Sequence, residues 1–214
     1  MPASTRAFSS RQRHRLYWSY LRSQSWFELP YALATLHATV VDDIDKSHDP
    51  LTRYAPAPWK RAWPVFTADI LKNMDIDQLA VRKRFVQMEL EMTLAMHRAG
   101  VRFMAGTDTA AGVHVFPGFS LHEELALFVE AGLTPMEALQ TATRNPAEFM
   151  GRLAEMGTVE KGKVADLVLL DANPLGDIQN TRKIRAVVLA GRYLDRGELD
   201  EMLRQVEAAA ADSK

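Results

Sequence analysis

The pattern of hydrophobic and polar residues is clearest between residues 77 and 106. From 77 to 99, apolar side chains recur at helical spacing, which predicts one long amphipathic helix that ends at Gly100. The segment "VRFMAG" (101–106) is a short, mostly apolar run, typical of a fully buried strand in a parallel sheet. The predicted apolar face of the helix contains Leu79, Phe85, Val86, Met88, Leu90, Met92, Leu94, Met96 and His97.

Three more helices are predicted after this strand, because each has its own start signal. In each case a residue that can cap a helix is followed three positions later by glutamate, and the second and third also carry a proline near the start. Helix, short strand and helix in succession indicate the βα units of a parallel sheet or barrel. The three capping pairs are Ser120 with Glu123, Thr134 with Glu137, and Asn145 with Glu148.

From residue 157 onward the apolar residues stop following a helical period. The segment "VEKGKVADLVLLD" (159–171) is predicted as a strand, a Lys-Gly turn and a second strand. The segment "IRAVVLAGRYL" (184–194) is predicted as a hairpin with Gly191 in its turn. A last helix is predicted at about 198–211, where the apolar residues again share one face.

The first part of the chain is irregular by comparison. Prolines at 50, 56, 58 and 64 argue against a long helix there, and "TLHATVV" (35–41) could form one strand. We therefore divide the chain into four predicted segments. These are an irregular region (1–76), a βα portion (77–156), a small β-structure (157–197) and a terminal helix (198–214).

Composition narrows the class of protein. The chain has 214 residues, 47% of them hydrophobic, and a formal net charge of −1, which is typical of a soluble globular protein without a nucleic-acid partner. No run approaches the roughly 18–20 apolar residues of a membrane span. The absence of cysteine excludes disulfides and thiolate chemistry and fits the cytoplasm. The arginine- and serine-rich start leaves a mitochondrial presequence as a minor alternative.

The candidate chemistry follows the strand at 101–106. Asp108 comes two residues after its end, where a carboxylate can bind a divalent metal or transfer a proton between water and a leaving group. The alternative is that Asp108 only hydrogen-bonds to its own loop. His114 and His122 are candidate substrate or metal contacts, since histidine is a common metal ligand. The alternatives are a solvated loop residue for His114 and local packing or hydrogen bonding for His122.

Four stretches together resemble the C-terminal part of the amidohydrolase superfamily, in the branch of imidazolonepropionase and Xaa-Pro dipeptidase. They are "AGVRFMAGTDTAAG", "PGFSLHEELALFVEAGLTPMEALQTATRNPAEFMG", "GTVEKGKVADLVLLDANPL" and "VVLAGRYL", and the resemblance covers about 77–195. It implies a metal-dependent (β/α)₈ barrel hydrolase flanked by a small β-structure. It also implies that Asp108 matches the aspartate after the last barrel strand, which binds the metal, zinc by expectation, and shuttles the proton of the hydrolytic water.

The sequence departs from the family in its metal ligands and its length. The family's HxH pair is absent, because no two of the six histidines are separated by one residue. A barrel takes roughly 250 residues, whereas about 155 precede the predicted β-structure. The expected fold is therefore α/β, the C-terminal part of an incomplete barrel with a small β-structure and a terminal helix. The expected function is hydrolysis of a small-molecule amide or dipeptide by the complete form, with this chain truncated and inactive alone.

Two alternatives stay open. The first is a non-catalytic module that self-associates, or docks to another chain, through the exposed edge of the incomplete barrel, where a large apolar surface is expected. The second is an active enzyme in which His37, His114 and His122 join Asp108 as substitute ligands. Catalytic zinc needs three convergent protein ligands, and the spacing of these residues does not show convergence.

Overall fold

The computed structural model of the chain describes residues 26–30, 49–72, 76–107, 109 and 114–212. Helices and short strands alternate in the first part, and a small sheet and a long helix follow. In chain order the elements are β1 (Trp26–Pro30), α1 (Ala57–Lys72), α2 (Ile76–Arg98), β2 (Arg102–Gly106), α3 (Phe119–Glu130), α4 (Pro135–Thr141), α5 (Arg144–Phe149), β3 (Leu167–Leu170), β4 (Ile184–Leu189), β5 (Arg192–Leu194) and α6 (Arg196–Asp212), with 3₁₀ turns at Pro50–Tyr54 and Ile178–Arg182.

The strands form two separate sheets. Strands β1 and β2 pair in parallel, and their register runs from Trp26 opposite Arg102 to Pro30 opposite Gly106. Strands β3, β4 and β5 form an antiparallel sheet in that order. Because Pro30 and Gly106 are register partners, β1 and β2 end at the same edge. Within the described residues the parallel sheet has these two strands and does not close into a barrel.

The main core lies where α2 and α3 pack against β2. The rings of Phe103 in β2 and Phe128 in α3 are 6.0 Å apart and tilted by 50°. Each fully buried side chain of this size stabilises the fold by about 1.5–3 kcal/mol. This packing holds β2 against its two flanking helices. The buried members of the core are Val86, Leu90, Met96, Val101, Phe103, Leu125, Leu127, Phe128, Ala131, Leu133, Ala138 and Ile178.

The predicted end of α2 is confirmed. Gly100 has a φ of +84°, a conformation that glycine adopts without steric cost. The Gly100 N–H donates to the His97 carbonyl at 2.9 Å, and the Val101 N–H donates to the Met96 carbonyl at 3.0 Å. This is a Schellman motif, completed by the buried side chains of Val101 and Met96. Helix α3 ends the same way at Gly132, whose φ is +109°.

One predicted capping pair is confirmed and another is wrong. The Glu137 N–H donates to the Thr134 hydroxyl at 3.3 Å, and the Thr134 N–H donates to the Glu137 carboxylate at 2.8 Å, which is a complete capping box. Ser120 lies inside α3 rather than before it, and Gly118 is the N-cap. The Ser120 hydroxyl accepts the Phe116 N–H at 2.9 Å, so it closes the turn that leads into the helix.

The pair predicted at Asn145 and Glu148 is also wrong, because both side chains bind β2 instead of capping α5. Asn145 Nδ2 donates to the Phe103 carbonyl at 2.8 Å, and Glu148 forms an ion pair with Arg102. Helix α5 begins after Thr143, which makes no side-chain cap. These long-range contacts hold α5 against the strand that precedes the candidate site.

Helix α1 contradicts the prediction that prolines exclude a long helix. Pro58 falls in its first turn, where the missing N–H has no intrahelical partner to lose. Pro64 lies inside the helix, so the Lys60 carbonyl lacks that intrahelical bond. Tertiary packing offsets this cost. Trp63, only 5% exposed, lies in a second apolar cluster with Ala55 and Phe116.

Strand β2 is less buried than predicted. Of its five residues only Phe103 is buried, and the other four are partly exposed. The expectation of a fully buried strand is wrong because, among the described strands, only β1 pairs with β2. A central strand of a parallel sheet would be covered by neighbours on both sides.

The prediction for the small antiparallel sheet is confirmed only in part. The hairpin of β4 and β5 is confirmed, with Ala190 (φ +50°) and Gly191 (φ +79°) forming its two-residue turn. The strand predicted before the Lys-Gly turn is wrong, since residues 158–166 are irregular. There the Val164 N–H donates to the Glu155 carbonyl at 2.8 Å. That contact holds this segment against the end of the helical region.

The terminal helix is confirmed, and it begins slightly earlier than predicted, at Arg196. The Glu198 N–H donates to the Asp195 side chain at 2.9 Å and thereby caps its first turn. The four-segment division stays a prediction, and the strand considered at 35–41 lies outside the described residues. Within the part of the chain that is described, no helix combines the length and the apolar character needed to cross a bilayer.

Candidate functional site

The shared edge at which β1 and β2 end is the candidate site. Catalytic groups in barrels and open parallel sheets lie at the carboxyl ends of the strands. Asp108 follows Gly106 by two residues in the sequence but lies outside the described residues, so its role stays a prediction. The hydroxyl groups of its sequence neighbours, Thr107 and Thr109, form a hydrogen bond with 2.6 Å between the two oxygens.

A buried carboxylate holds the end of β2. Glu124 of α3 is only 3% exposed, and its Oε1 accepts the Gly106 N–H at 2.9 Å. The bond couples α3 to the last residue of the strand. Sequence reasoning missed Glu124, although a signal was present: a lone carboxylate lies on the helix face that also carries Leu127 and Phe128. Burying a charge requires such a partner.

His114, predicted as a loop contact, is buried among aromatic rings. It is 7% exposed, and its ring lies 4.9 Å from the Trp63 ring and 6.4 Å from the Phe116 ring. Its φ is +59°, a left-handed conformation in which histidine is found more often than most non-glycine residues. The solvated-loop alternative is therefore wrong for His114. Its role as a substrate contact stays a prediction.

His122 links α3 to the 3₁₀ turn before β4. Its Nδ1 lies 3.0 Å from the Thr181 hydroxyl oxygen, and that hydroxyl donates to the Ile178 carbonyl at 2.8 Å. Because the one hydroxyl proton of Thr181 is donated to the Ile178 carbonyl, the Nδ1–H of His122 must donate to the Thr181 oxygen. In a neutral ring this leaves Nε2 as the acceptor nitrogen. Burial lowers the pKa of His122, and the nearby charge of Arg182 lowers it further.

The lowered pKa of His122 predicts a loss of stability in mild acid. Below pH 6.5, the ordinary pKa of histidine, the unfolded chain binds a proton at this position more readily than the folded chain does. The free energy of unfolding therefore decreases as the pH is lowered. We expect urea denaturation at pH 7.5 and 5.5 to show a smaller decrease for His122→Gln than for wild type.

The direct measurement is an NMR titration of the His122 ring. Arg182→Gln is the matched variant, because it removes the positive charge near His122. It should raise the pKa of His122 while keeping the hydrogen bond to Thr181. A titration of His122 at or above 6.5 in the wild-type chain would contradict this assignment.

The site residues do not by themselves form a metal centre. Of the residues that the structure describes, no three histidine, cysteine, aspartate or glutamate side chains come together in a group that could hold a metal ion. His114 contacts aromatic rings and His122 binds Thr181, while His37 and Asp108 lie outside the described part. The described donor set therefore does not fit the divalent metal that the resemblance implies.

A polar cleft of about 380 Å³ lies near the start of β2. His97 Nε2 and Glu137 Oε1 are 3.1 Å apart on its wall, and Arg102 pairs with Glu148. Hydrogen bonds from Thr134, more than the nearby His97, lower the pKa of Glu137. Two pairs of side chains on the walls of the cleft, His97 with Glu137 and Arg102 with Glu148, therefore contact each other. The cleft lies toward the end of β2 opposite to Gly106, so it is separate from the candidate site.

Comparisons with known proteins agree with this architecture. A family model described as "Amidohydrolase family" matches residues 62–194. Ochratoxinase of Aspergillus niger is 39% identical over 92 residues, which covers 42% of this chain and 18% of that protein. Imidazolonepropionase of Shouchella clausii is 32% identical over 121 residues, which covers 53% of this chain and 26% of that protein. The chain thus spans about a quarter or less of the length of these relatives.

A solved structure supports the same fold. The putative prolidase from Bifidobacterium longum superposes with a TM-score of 0.56 and 27% sequence identity. The match covers 86% of this chain and 40% of that barrel protein. The predicted fold class is confirmed: the chain is α/β and corresponds to part of a (β/α)₈ barrel hydrolase with a small β-structure.

Proposed function

Because this chain belongs to the amidohydrolase family, with a match over residues 62–194, we propose that it supplies the C-terminal edge of a hydrolase site. The substrate class is a small-molecule amide or a dipeptide, and the reaction is hydrolysis of its C–N bond. The names of the relatives, imidazolonepropionase, ochratoxinase and prolidase, support hydrolysis as the reaction class. They leave the individual substrate to experiment.

The parallel pairing of β1 with β2 is the observation that carries this proposal. It gives β2 the carboxyl-terminal edge at which barrel enzymes place their catalytic groups. Asp108 is the proposed proton carrier. Its carboxylate takes a proton from the water whose oxygen attacks the carbonyl carbon, and it returns that proton to the nitrogen as the C–N bond breaks. The Glu124 bond to the Gly106 N–H supports the strand end that presents this residue.

The two histidines have different proposed roles. His122 is the stronger candidate for a substrate contact, because its neutral ring keeps Nε2 as an acceptor for a substrate N–H or O–H. His114 is buried at 7% exposure, so we propose that it shapes the β2–α3 segment through its aromatic neighbours. The Trp63 contact at 4.9 Å supports that positioning role.

We further propose that the chain does not hydrolyse substrate alone. The complete site would hold a divalent metal, zinc by family expectation, through an HxH pair and further histidines. The sequence has six histidines, and no two of them form an HxH pair. A metal held by one carboxylate would be mostly water-coordinated and weak, because catalytic zinc uses three protein ligands. Cytoplasmic location is proposed from the absence of cysteine.

We expect purified chain to contain far less than one zinc per molecule and to show no hydrolysis above background. The measurements are elemental analysis and product assays on N-acyl amino acids, cyclic amides and Xaa-Pro dipeptides with added Zn²⁺. Turnover that disappears in Asp108→Ala but survives in Asp200→Ala, a matched exposed aspartate, would contradict inactivity of the isolated chain.

Complementation tests the role of Asp108 directly. We expect zinc uptake and hydrolysis to appear when the HxH-bearing strands of a family barrel are supplied as a second polypeptide. Hydrolysis by that complex should fall by orders of magnitude in Asp108→Ala, consistent with the size of acid–base contributions of about 10²–10⁴-fold. A complex that is equally active with Asp108→Ala would reject the proposed role.

A non-catalytic module that self-associates is the second candidate function. The exposed apolar side chains of α2, which are Val81, Phe85, Met88 and Met92, favour it.

A further inference from the structure

Helix α2 carries two apolar faces, and only one of them packs in the core. Val86, Leu90 and Met96 are buried at 4–7% exposure. Phe85, Met88 and Met92, which were predicted for the same face, are turned outward, and so is Val81. The prediction of a single wide core face is therefore wrong. The outward residues form a second stripe, defined here as the α2 stripe: Val81 (66% exposed), Phe85 (44%), Met88 (47%) and Met92 (48%).

The α2 stripe has the spacing of a helix–helix seam. Its members are four, three and four residues apart, which is the alternation of the d and a positions of a heptad repeat. Residues at this spacing line one side of a helix over three turns. A contiguous exposed patch of large apolar side chains marks an interaction site more often than an inert surface. The partner that matches such a seam is another amphipathic helix.

Charges beside the α2 stripe select the partner. Arg84 and Glu91 are both exposed and occupy equivalent flanking positions one heptad apart. In an antiparallel pair of α2 helices centred between Phe85 and Met88, each Arg84 faces Glu91 of the other helix. A two-fold axis makes this contact twice, as an isologous dimer requires. The same operation sets Phe85 against Met88 of the other helix.

A parallel pair is less favourable. It would set Arg84 against Glu89, which is partly buried against its own chain and whose Oε2 is shielded from solvent. Arg84 would then face a carboxylate that is not fully presented at the surface. The antiparallel pair also brings the positive end of each helix dipole to the negative end of the other.

We propose that the chain forms a two-fold symmetric homodimer in which the α2 stripes of two copies pack antiparallel. This interface does not rest on the proposed hydrolase function, since no residue of the stripe belongs to the candidate site. A seam of two heptads is small compared with a standard interface, so the dimer is weak and reversible, with a Kd of about 1–100 µM.

Sedimentation equilibrium between about 1 and 500 µM measures the dimer over the Kd range given above. We expect Met88→Lys to weaken association at least about 100-fold, because it introduces two like charges at the seam. Met136→Lys is the matched control, since Met136 has nearly the same exposure (48%) but lies on α4. Far-UV circular dichroism establishes that both variants fold. A wild-type chain that is monomeric at every concentration overturns the proposal.

A charge exchange tests the antiparallel arrangement. Arg84→Glu and Glu91→Arg should each weaken the dimer about 10–100-fold, because each creates like-charge contacts on both sides of the axis. The double variant should restore the wild-type Kd, because the contacts become opposite-charged again. A double variant that is weaker than either single variant overturns the proposed pairing.

Cross-linking provides a geometric test, because the chain contains no cysteine. A disulfide requires Cα atoms within about 7 Å. The antiparallel pair sets position 81 against position 92 of the other copy, so a mixture of Val81→Cys and Met92→Cys chains should form the mixed disulfide. Val81→Cys alone should not cross-link. Rapid cross-linking of Val81→Cys to itself would instead indicate a parallel pair and overturn the proposal.

Discussion

Replacing Phe103 with alanine is expected to lower the free energy of unfolding by about 3–5 kcal/mol. Phe103 is 2% exposed and is the buried residue of β2, where its ring lies 6.0 Å from the Phe128 ring. Alanine would leave a cavity between the strand and α3 that the surrounding helices cannot fill completely. Urea denaturation at 25 °C, followed by circular dichroism, measures the change.

Two variants separate the loss of packing from a general effect of substitution. Phe103→Leu keeps most of the side-chain volume and should lower the free energy of unfolding by less than about 1.5 kcal/mol. Tyr193→Ala removes an aromatic ring that is 56% exposed, and it should change stability by no more than about 0.5 kcal/mol. A Phe103→Ala variant within about 1 kcal/mol of wild type would show that β2 is not anchored by this contact.

Replacing Trp63 with alanine is expected to lower the free energy of unfolding by about 3–5 kcal/mol. It should also remove the ring contact that holds His114 in place. Trp63 is 5% exposed, and its ring contacts the rings of His114 at 4.9 Å and Phe116 at 5.5 Å. The side chain therefore joins α1 to the segment between β2 and α3. Its loss would remove the packing that holds His114 in its left-handed conformation.

NMR distinguishes this specific release from general destabilisation. In the wild-type chain the Trp63 ring should shift the His114 ring protons away from their ordinary values, and this shift should disappear in Trp63→Ala. Trp63→Phe is the matched control, because it keeps an aromatic ring and should retain part of both the shift and the stability. An unchanged His114 signal in Trp63→Ala would contradict the contact as the source of the positioning.

Local signals in the sequence predicted the end of α2 and the start of α4 correctly. Gly100 and the Thr134–Glu137 pair behave as predicted, because each satisfies backbone groups within its own turn. The same capping pattern failed at Asn145, whose amide reaches the Phe103 carbonyl instead. The capping signal shows only which local backbone groups a side chain can bind. The carbonyl of the buried Phe103 also needs a hydrogen-bond donor, and Asn145 supplies it instead of capping the helix.

Apolar periodicity showed a similar limit. It predicted α2 correctly as a helix, but it assigned Phe85 and Met92 to the core face that holds Val86 and Leu90. A helix with an apolar stripe wider than the core needs can turn only one part of it inward. Which part turns inward depends on where α3 and β2 lie, and that information is not in the period.

By itself the sequence determined local features and the family: the end of α2 at Gly100, the capped start of α4, the strand that precedes Asp108, the β4–β5 hairpin and the resemblance to amidohydrolases. The tertiary structure decided which polar groups meet. Glu124 binds a backbone N–H 18 residues away, Asn145 a carbonyl 42 residues away and His122 a hydroxyl 59 residues away. The physical reason is that a buried polar group must find a partner wherever packing brings one within hydrogen-bond distance, and spacing along the chain does not specify that place.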